Sequence, residues 1–239
     1  MPEIIPAILS NSFEDIEKKV KEISYSSPWV QIDVVDGIYA PSKTWPFLNT
    51  DDEDLKALIH EDKALPEWEN VSYEFDLMVT NPRAVADTFV MAGASRIIVH
   101  YSSFKDDNER EVFLKDFKKR YNLPEPLGVE LGLAIGTDIE IVDFVRYIEQ
   151  NKLELDFVQL MGIDRIGKQG EKFNEKTIER VRELKKLIPD LVIQIDGGVG
   201  EEHIKPLIEA GAERLIEGGI IWSTDDPIGE YERLLDLTE

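Results

Sequence analysis

The sequence predicts an α/β fold, a single (β/α)8 TIM barrel spanning residues 1–239. Three observations carry this expectation. Short apolar runs alternate eight times with longer helical patterns, as strands alternate with crossover helices. The length suits one such barrel, and no linker or shift in composition marks a second domain. The last unit ends in a helix, which favours closure over a doubly wound open sheet.

The units follow in order. "EIIPAIL" (3–9) is a β-branched run, and the helical pattern at 12–23 completes the first unit. "WVQIDVV" (29–35) pairs with the helix at 52–61, and "VSYEFDLMV" (71–79) with that at 82–93. "RIIVHY" (96–101) precedes the helix at 109–121, and "LGVELGLAI" (127–135) the one at 138–150. "LDFVQLMG" (155–162) and "LVIQIDGG" (191–198) lead into helices at 175–188 and 201–211. "RLIEGG" (214–219) and a helix at 227–239 close the chain.

Composition narrows the function. With 49 acidic against 27 basic residues the formal net charge is −22, which repels nucleic acid and anionic membranes. Runs such as "KDFKKRY" and "ERVRELKK" read as polar helix faces. No cysteine is present, so disulfides, thiol nucleophiles and thiolate metal sites are excluded. No basic leader or long apolar run appears, so a cytoplasmic location without a membrane partner is expected. An anionic substrate needs a local site of oriented backbone N–H groups to overcome the global charge.

Side chains of a strand switch face at every residue. Val30, Ile32 and Val34 therefore oppose Gln31, Asp33 and Val35; Tyr73, Phe75, Leu77 and Val79 oppose Glu74, Asp76 and Met78. Ile193 and Ile195 oppose Gln194 and Asp196, and Val158 and Leu160 oppose Gln159 and Met161. His100 shares a face with Ile98, and Ser10 with Ile8. In a barrel the apolar set packs on the helix ring and the other set points into the lumen. Asp33, Asp76 and Asp196 then converge at the carboxyl ends of strands two, three and seven, where barrel enzymes build their sites. Asp36, followed by Gly37, reads as a turn residue. His100 reads as a satisfied interior histidine, and His60 and His203 as helix-surface residues.

Three glycine-bearing turns follow late strands: "GIDRIGKQGEKF", "DGGVG" and "EGGIIW". Glycine lets backbone N–H groups close on an anion. Gly197, Gly198, Gly218 and Gly219 fit a phosphate site after strands seven and eight, with Gly167 or Lys168 closing over it.

As a set, "PAILSNSF", "VQIDVVDGIYAPS", "DLMVTNP", "IQIDGGV" and "EGGIIW" followed by "DP" resemble the ribulose-phosphate 3-epimerase family, in order and over nearly the whole chain. The resemblance implies a phosphate-binding barrel acting on a phosphorylated ketose, by deprotonation beside the carbonyl and reprotonation from the opposite face. It implies Asp33 and Asp196 as the two acid–base groups, and Ser10, Met78 and Met161 in the substrate pocket. The glycine turns match its phosphate site, and self-association into a homo-oligomer is implied too. The family's metal is held by two histidines and the two aspartates. Here the histidine positions are Gln31 and Asp76, so the implied ligand set is Gln31, Asp33, Asp76 and Asp196. Such oxygen-rich ligands favour Mg²⁺ or Mn²⁺ over Zn²⁺; the alternative is a site that has lost its metal, where one of the three carboxylates keeps a proton to relieve their repulsion. Val35 replaces a methionine, Ile38 a histidine, and the loop reading "DRIGKQG" is one residue longer than the family's.

Two alternatives compete. Related decarboxylases carry Asp-x-Lys-x-x-Asp, but Asp33 is followed by Val34 and Val35, and no strand offers an inward lysine for a Schiff base. A phospho-sugar-binding barrel without catalysis has little use for both Asp33 and Asp196.

Overall fold

The computed structural model describes residues 2–49, 52–124, 127–167 and 170–238. Strands β1 (Glu3–Ile8), β2 (Trp29–Val35), β3 (Ser72–Met78) and β4 (Arg96–His100) form one half of a parallel barrel. The other half is β5 (Glu130–Ile135), β6 (Phe157–Met161), β7 (Val192–Asp196) and β8 (Arg214–Glu217). Strands neighbour one another in chain order and β8 pairs back onto β1, closing the sheet.

The outer helices are α1 (Phe13–Ile23), α2 (Glu53–Ile59), α3 (Pro82–Met91), α4 (Asp107–Tyr121) and α5 (Ile141–Asn151). They continue with α6 (Lys176–Leu187), α7 (Glu201–Ala210), α8 (Gly219–Trp222) and α9 (Pro227–Asp236). Their starts are chemically marked. Ser12, Asp52, Asn81, Asp106 and Asp226 each accept the backbone N–H three residues on, satisfying a donor that the helix itself leaves orphaned. The short α8 departs from the plain turn expected at 218–222. Its Trp222 N–H reaches the Gly218 carbonyl, and the indole Nε1 donates to the Ala7 carbonyl at 2.7 Å, pinning the turn to β1. Among the described residues no helix is long and apolar enough to cross a membrane.

The strand faces divide as their alternation requires. Val30, Ile32, Val34, Phe75, Leu77, Ile193 and Ile195 join one large buried cluster with the helix ring. Each such side chain contributes roughly 1.5–3 kcal/mol by leaving water. The lumen holds Ile5, Ala7 and Ile216 in one group and Ile98, Ala134, Phe157 and Met161 in another. Gly132 on β5 makes room for the Phe157 ring, since a Cβ there would lie 2.4 Å from it. At the amino-terminal end the lumen is closed by charge. Arg96 meets Glu130 at 3.0 Å and Glu74 at 3.5 Å, and its guanidinium lies 3.4 Å from the Trp29 ring centre.

Candidate active site

In-register pairing brings Asp33 opposite Asp76 on β2 and β3, and Met161 opposite Asp196 on β6 and β7. Closure of the barrel then brings β2 and β7 together across the lumen. Asp33, Asp76 and Asp196 each offer an oxygen within 4.8 Å of the others. At that separation two full negative charges repel by about 3 kcal/mol at an effective dielectric of about 20.

Amides and one imidazole answer that repulsion. Gln31 Nε2 donates to Asp33 Oδ1 at 2.8 Å and to Asp196 Oδ2 at 3.4 Å. Gln159 Nε2 donates to Asp76 Oδ2 at 3.0 Å and to Asp196 Oδ2 at 3.3 Å. His100 Nε2 lies 2.8 Å from Asp76 Oδ1, so both oxygens of that fully buried carboxylate are engaged. One layer down, Gln194 Nε2 donates to Glu74 Oε1 at 2.7 Å and to Gln159 Oε1 at 2.8 Å.

Burial, then the charge of Asp76, pushes Asp33 up to about 7. Burial followed by the charges of Asp33 and Asp76 pushes Asp196 well above the usual carboxylate range. Glu74 is raised to about 7 by burial, against the pull of Arg96. Glu217 is raised too, by burial and by Glu230. Both carboxyls are thus pushed toward keeping a proton, the kind of perturbation found where acid–base chemistry is done.

A cavity of about 240 Å³ opens above the carboxylates. Asp33, Met78, Met161, Gly167 and Asp196 line it, as do Gly197, Gly198, Gly218 and Gly219. No lysine, arginine or histidine stands among its described lining residues, and the glycine turns offer backbone N–H groups to an anion. Gly197 and Gly198 carry φ of +104° and +69°, which aims successive amides around the turn. A Cβ on Gly198 would lie 2.8 Å from the backbone nitrogen of Phe173, so the turn packs directly on the loop before α6. Gly167 has φ +76° and nearly touches Ala40, while Lys168 lies outside the described residues.

The three carboxylates form a hard, all-oxygen donor set that fits a divalent cation such as Mg²⁺ or Mn²⁺. Gln31 stands beside them with its amide nitrogen turned to Asp33 and Asp196, while its Oε1 is buried without a partner among the described residues. The structure thus places Gln31 as a bridge between two carboxylates, with an oxygen left over.

Other sequence expectations fall elsewhere. Ser10 faces away from the cavity, in phase with the helix-facing Ile8. Its hydroxyl donates to Asp15 of α1 at 2.7 Å, in a neighbouring depression shared with Lys43 and Thr44. His203 is buried rather than on the helix surface, stacked on Phe173 at 4.2 Å, with Nδ1 accepting the Gly200 N–H. Asp36 is the turn residue expected: it accepts from Ile38, Tyr39 and Thr80, tying the loop after β2 to the end of β3. Gln159 and Gln194 were visible on the lumen face, but strand phase gives no sign of which residues meet across the barrel.

Comparison with known proteins follows the same outline. The model of the family described as "Ribulose-phosphate 3 epimerase family" matches residues 3–222. The chain is 26% identical over 228 residues to ribulose-phosphate 3-epimerase of Schizosaccharomyces pombe, covering 94% of this chain and 89% of that protein. It is 27% identical over 244 residues to ribulose-phosphate 3-epimerase of Aquifex aeolicus, covering 99% and 97%. Among solved structures, 3-hexulose-6-phosphate synthase from Salmonella typhimurium superposes with a TM-score of 0.68 at 16% identity, covering 99% and 98%, a likeness of fold alone.

Proposed function

The chain belongs to the ribulose-phosphate 3-epimerase family, and on that premise we propose that it epimerises a phosphorylated ketose of the ribulose 5-phosphate/xylulose 5-phosphate type. One observation carries the reading. Two carboxyl groups that burial and each other's charge push toward keeping a proton, Asp33 and Asp196, line the same small cavity as the glycine turns after β7 and β8.

The chemistry follows from these groups. The phosphate lies against the amides of Gly197, Gly198, Gly218 and Gly219, and the ketose carbon chain runs toward the carboxylates. One aspartate, ionised, takes the C3 proton, and the C3–H electron pair becomes the double bond of an enediolate. The other, protonated, delivers its proton to C3 from the opposite face, and the roles exchange in the reverse direction. Burial and mutual repulsion keep one proton between the pair, so that one acid and one base stand ready together. Asp33, Asp76 and Asp196 would hold a divalent cation, which would supply stabilisation of the negative charge on the enediolate oxygens. Met78 and Met161 wall the cavity and exclude water from the planar carbanion.

The test is solvent-deuterium exchange by NMR on D-ribulose 5-phosphate, with Mg²⁺ or Mn²⁺ and after chelation. Deuterium at C3 together with xylulose 5-phosphate is expected. A sugar phosphate that binds with no exchange under any of these conditions refutes the reading and leaves a binding barrel.

A further inference from the structure

We propose that Glu74 and Gln194 form a positioning pair that fixes which end of the Gln159 amide meets Asp76 and Asp196. It rests on the acid–base role given to Asp196 above. A buried glutamine can place its oxygen or its nitrogen toward a neighbour, and the two choices have opposite consequences beside carboxylates.

The direction of the relay is set from below. Glu74 is fully buried on β3, and its Oε1 accepts from Gln194 Nε2 at 2.7 Å. With that oxygen as acceptor, Gln194 turns its nitrogen toward Glu74. The second hydrogen of that nitrogen goes to Gln159 Oε1 at 2.8 Å. With its oxygen taken, Gln159 has only its nitrogen left to present upward. That nitrogen reaches Asp76 Oδ2 at 3.0 Å and Asp196 Oδ2 at 3.3 Å. Turned over, the same amide would set its carbonyl oxygen against two carboxylate oxygens.

The arrangement costs something, and the cost shows where it is imposed. Gln194 Oε1 is buried and has no partner among the described residues. An amide choosing its own orientation would use both ends; this one sacrifices its oxygen to satisfy the acid beneath it. Glu74 is anchored in turn by Arg96, whose other contacts are Glu130 and the Trp29 ring. Gln159, Gln194 and Glu74 are all fully buried, so no solvent corrects a wrong orientation. The floor of the barrel therefore favours two N–H donors, rather than a lone pair, facing Asp76 and Asp196. Glu74 and Gln194 touch no substrate; they act through Gln159.

A double-mutant cycle on turnover of D-ribulose 5-phosphate tests this, with the side-chain ¹⁵N–¹H amide signals of Gln159, assigned with Gln159→Leu, as the second readout. Gln159→Leu should lower kcat about tenfold with KM changed less than threefold. Gln194→Leu, which frees the Gln159 oxygen, should lower kcat by a smaller factor and move the Gln159 amide signals. The double variant should match Gln159→Leu alone. Effects that multiply in the double variant, or Gln159 amide signals in Gln194→Leu that coincide with wild type, overturn the proposal. If Gln194→Leu does not fold, Glu74→Gln, which offers Gln194 a donor as well as an acceptor, loosens the same control and is read the same way. A wild-type protein without C3 exchange refutes the epimerase reading, while the amide signals still decide the relay.

Discussion

Removing divalent cations should make the protein lose stability as pH rises from 5 to 7.5, the reverse of ordinary acid denaturation. The cause is the carboxylate cluster. Asp33 moves from an ordinary value of 3.8 to about 7 on folding, by burial and by the charge of Asp76. Below about pH 4 the native and unfolded states both carry this proton, and the full stability is present. Above it the unfolded chain releases the proton and the native state keeps it, so stability falls until the native value near 7 is passed. Linkage gives a slope of about 1.4 kcal/mol per pH unit for one proton, and at most about 4 kcal/mol over the whole interval. Glu74, Asp196 and Glu217 are raised as well and act in the same direction. Carboxylates held below the usual range, such as Asp164 with its hydrogen bonds from Thr137 and Asn174, act only at lower pH. The assay is urea unfolding by tryptophan fluorescence in chelator, at half-unit steps of pH. Asp33→Asn should reduce the slope by about one proton's worth, and saturating Mn²⁺ should abolish or invert it, because the cation competes with those protons. A denaturation midpoint that stays level or rises between pH 5 and 7.5 in chelator would refute the reasoning.

Further outcomes follow from the same geometry. Asp33→Asn and Asp196→Asn should each lower turnover by at least about a thousandfold with an unchanged circular dichroism spectrum; near-full activity in either variant removes the two-base assignment. Asp76→Asn should weaken Mn²⁺ binding, measured by the EPR signal of the free ion, by about tenfold or more, and unchanged affinity would take Asp76 out of the ligand set. Gly197→Ala places a side chain at φ +104° with Cβ 2.7 Å from Ile163 Cγ1. It should cost roughly 1–3 kcal/mol of stability and raise KM for the sugar phosphate more than it lowers kcat; an unaltered KM would move the phosphate off this turn.

How far the sequence could be read depends on what strand alternation encodes. Phase along one strand separates Asp33 from Val34 and Asp196 from Ile195, so the lumen carboxylates were legible one strand at a time. So were the glycine turns, because a turn that closes on a ligand needs residues adjacent in the chain. The helix count missed α8, whose single turn is held by the contact from Trp222 to Ala7, 215 residues away. Ser10 was legible in phase but not in partner: it follows Ile8 outward, and Asp15 on α1 captures its hydroxyl. His203 sits on a polar-looking helix start, and only the fold reveals that Phe173 covers it.

The glutamine relay marks the boundary more sharply. Gln31, Gln159 and Gln194 all lie on the lumen face, yet phase alone leaves them equivalent. What distinguishes them is the layer at which each enters the barrel, and that is set by the stagger of closure. Gln31 is level with Glu74 in the ladder but binds Asp196 across the lumen, and Gln159 is level with Gln194 but reaches up to Asp76. Gln31 and Asp76 set an amide and a third carboxylate beside Asp33 and Asp196. The amide donors of Gln31 and Gln159, with His100 from β4, are the counterweight that lets three carboxylates share one small volume. The cluster and the relay thus work as one unit, and Asp76→His, which removes one of the three charges, should tolerate loss of the Gln159 donors better than the present chain does.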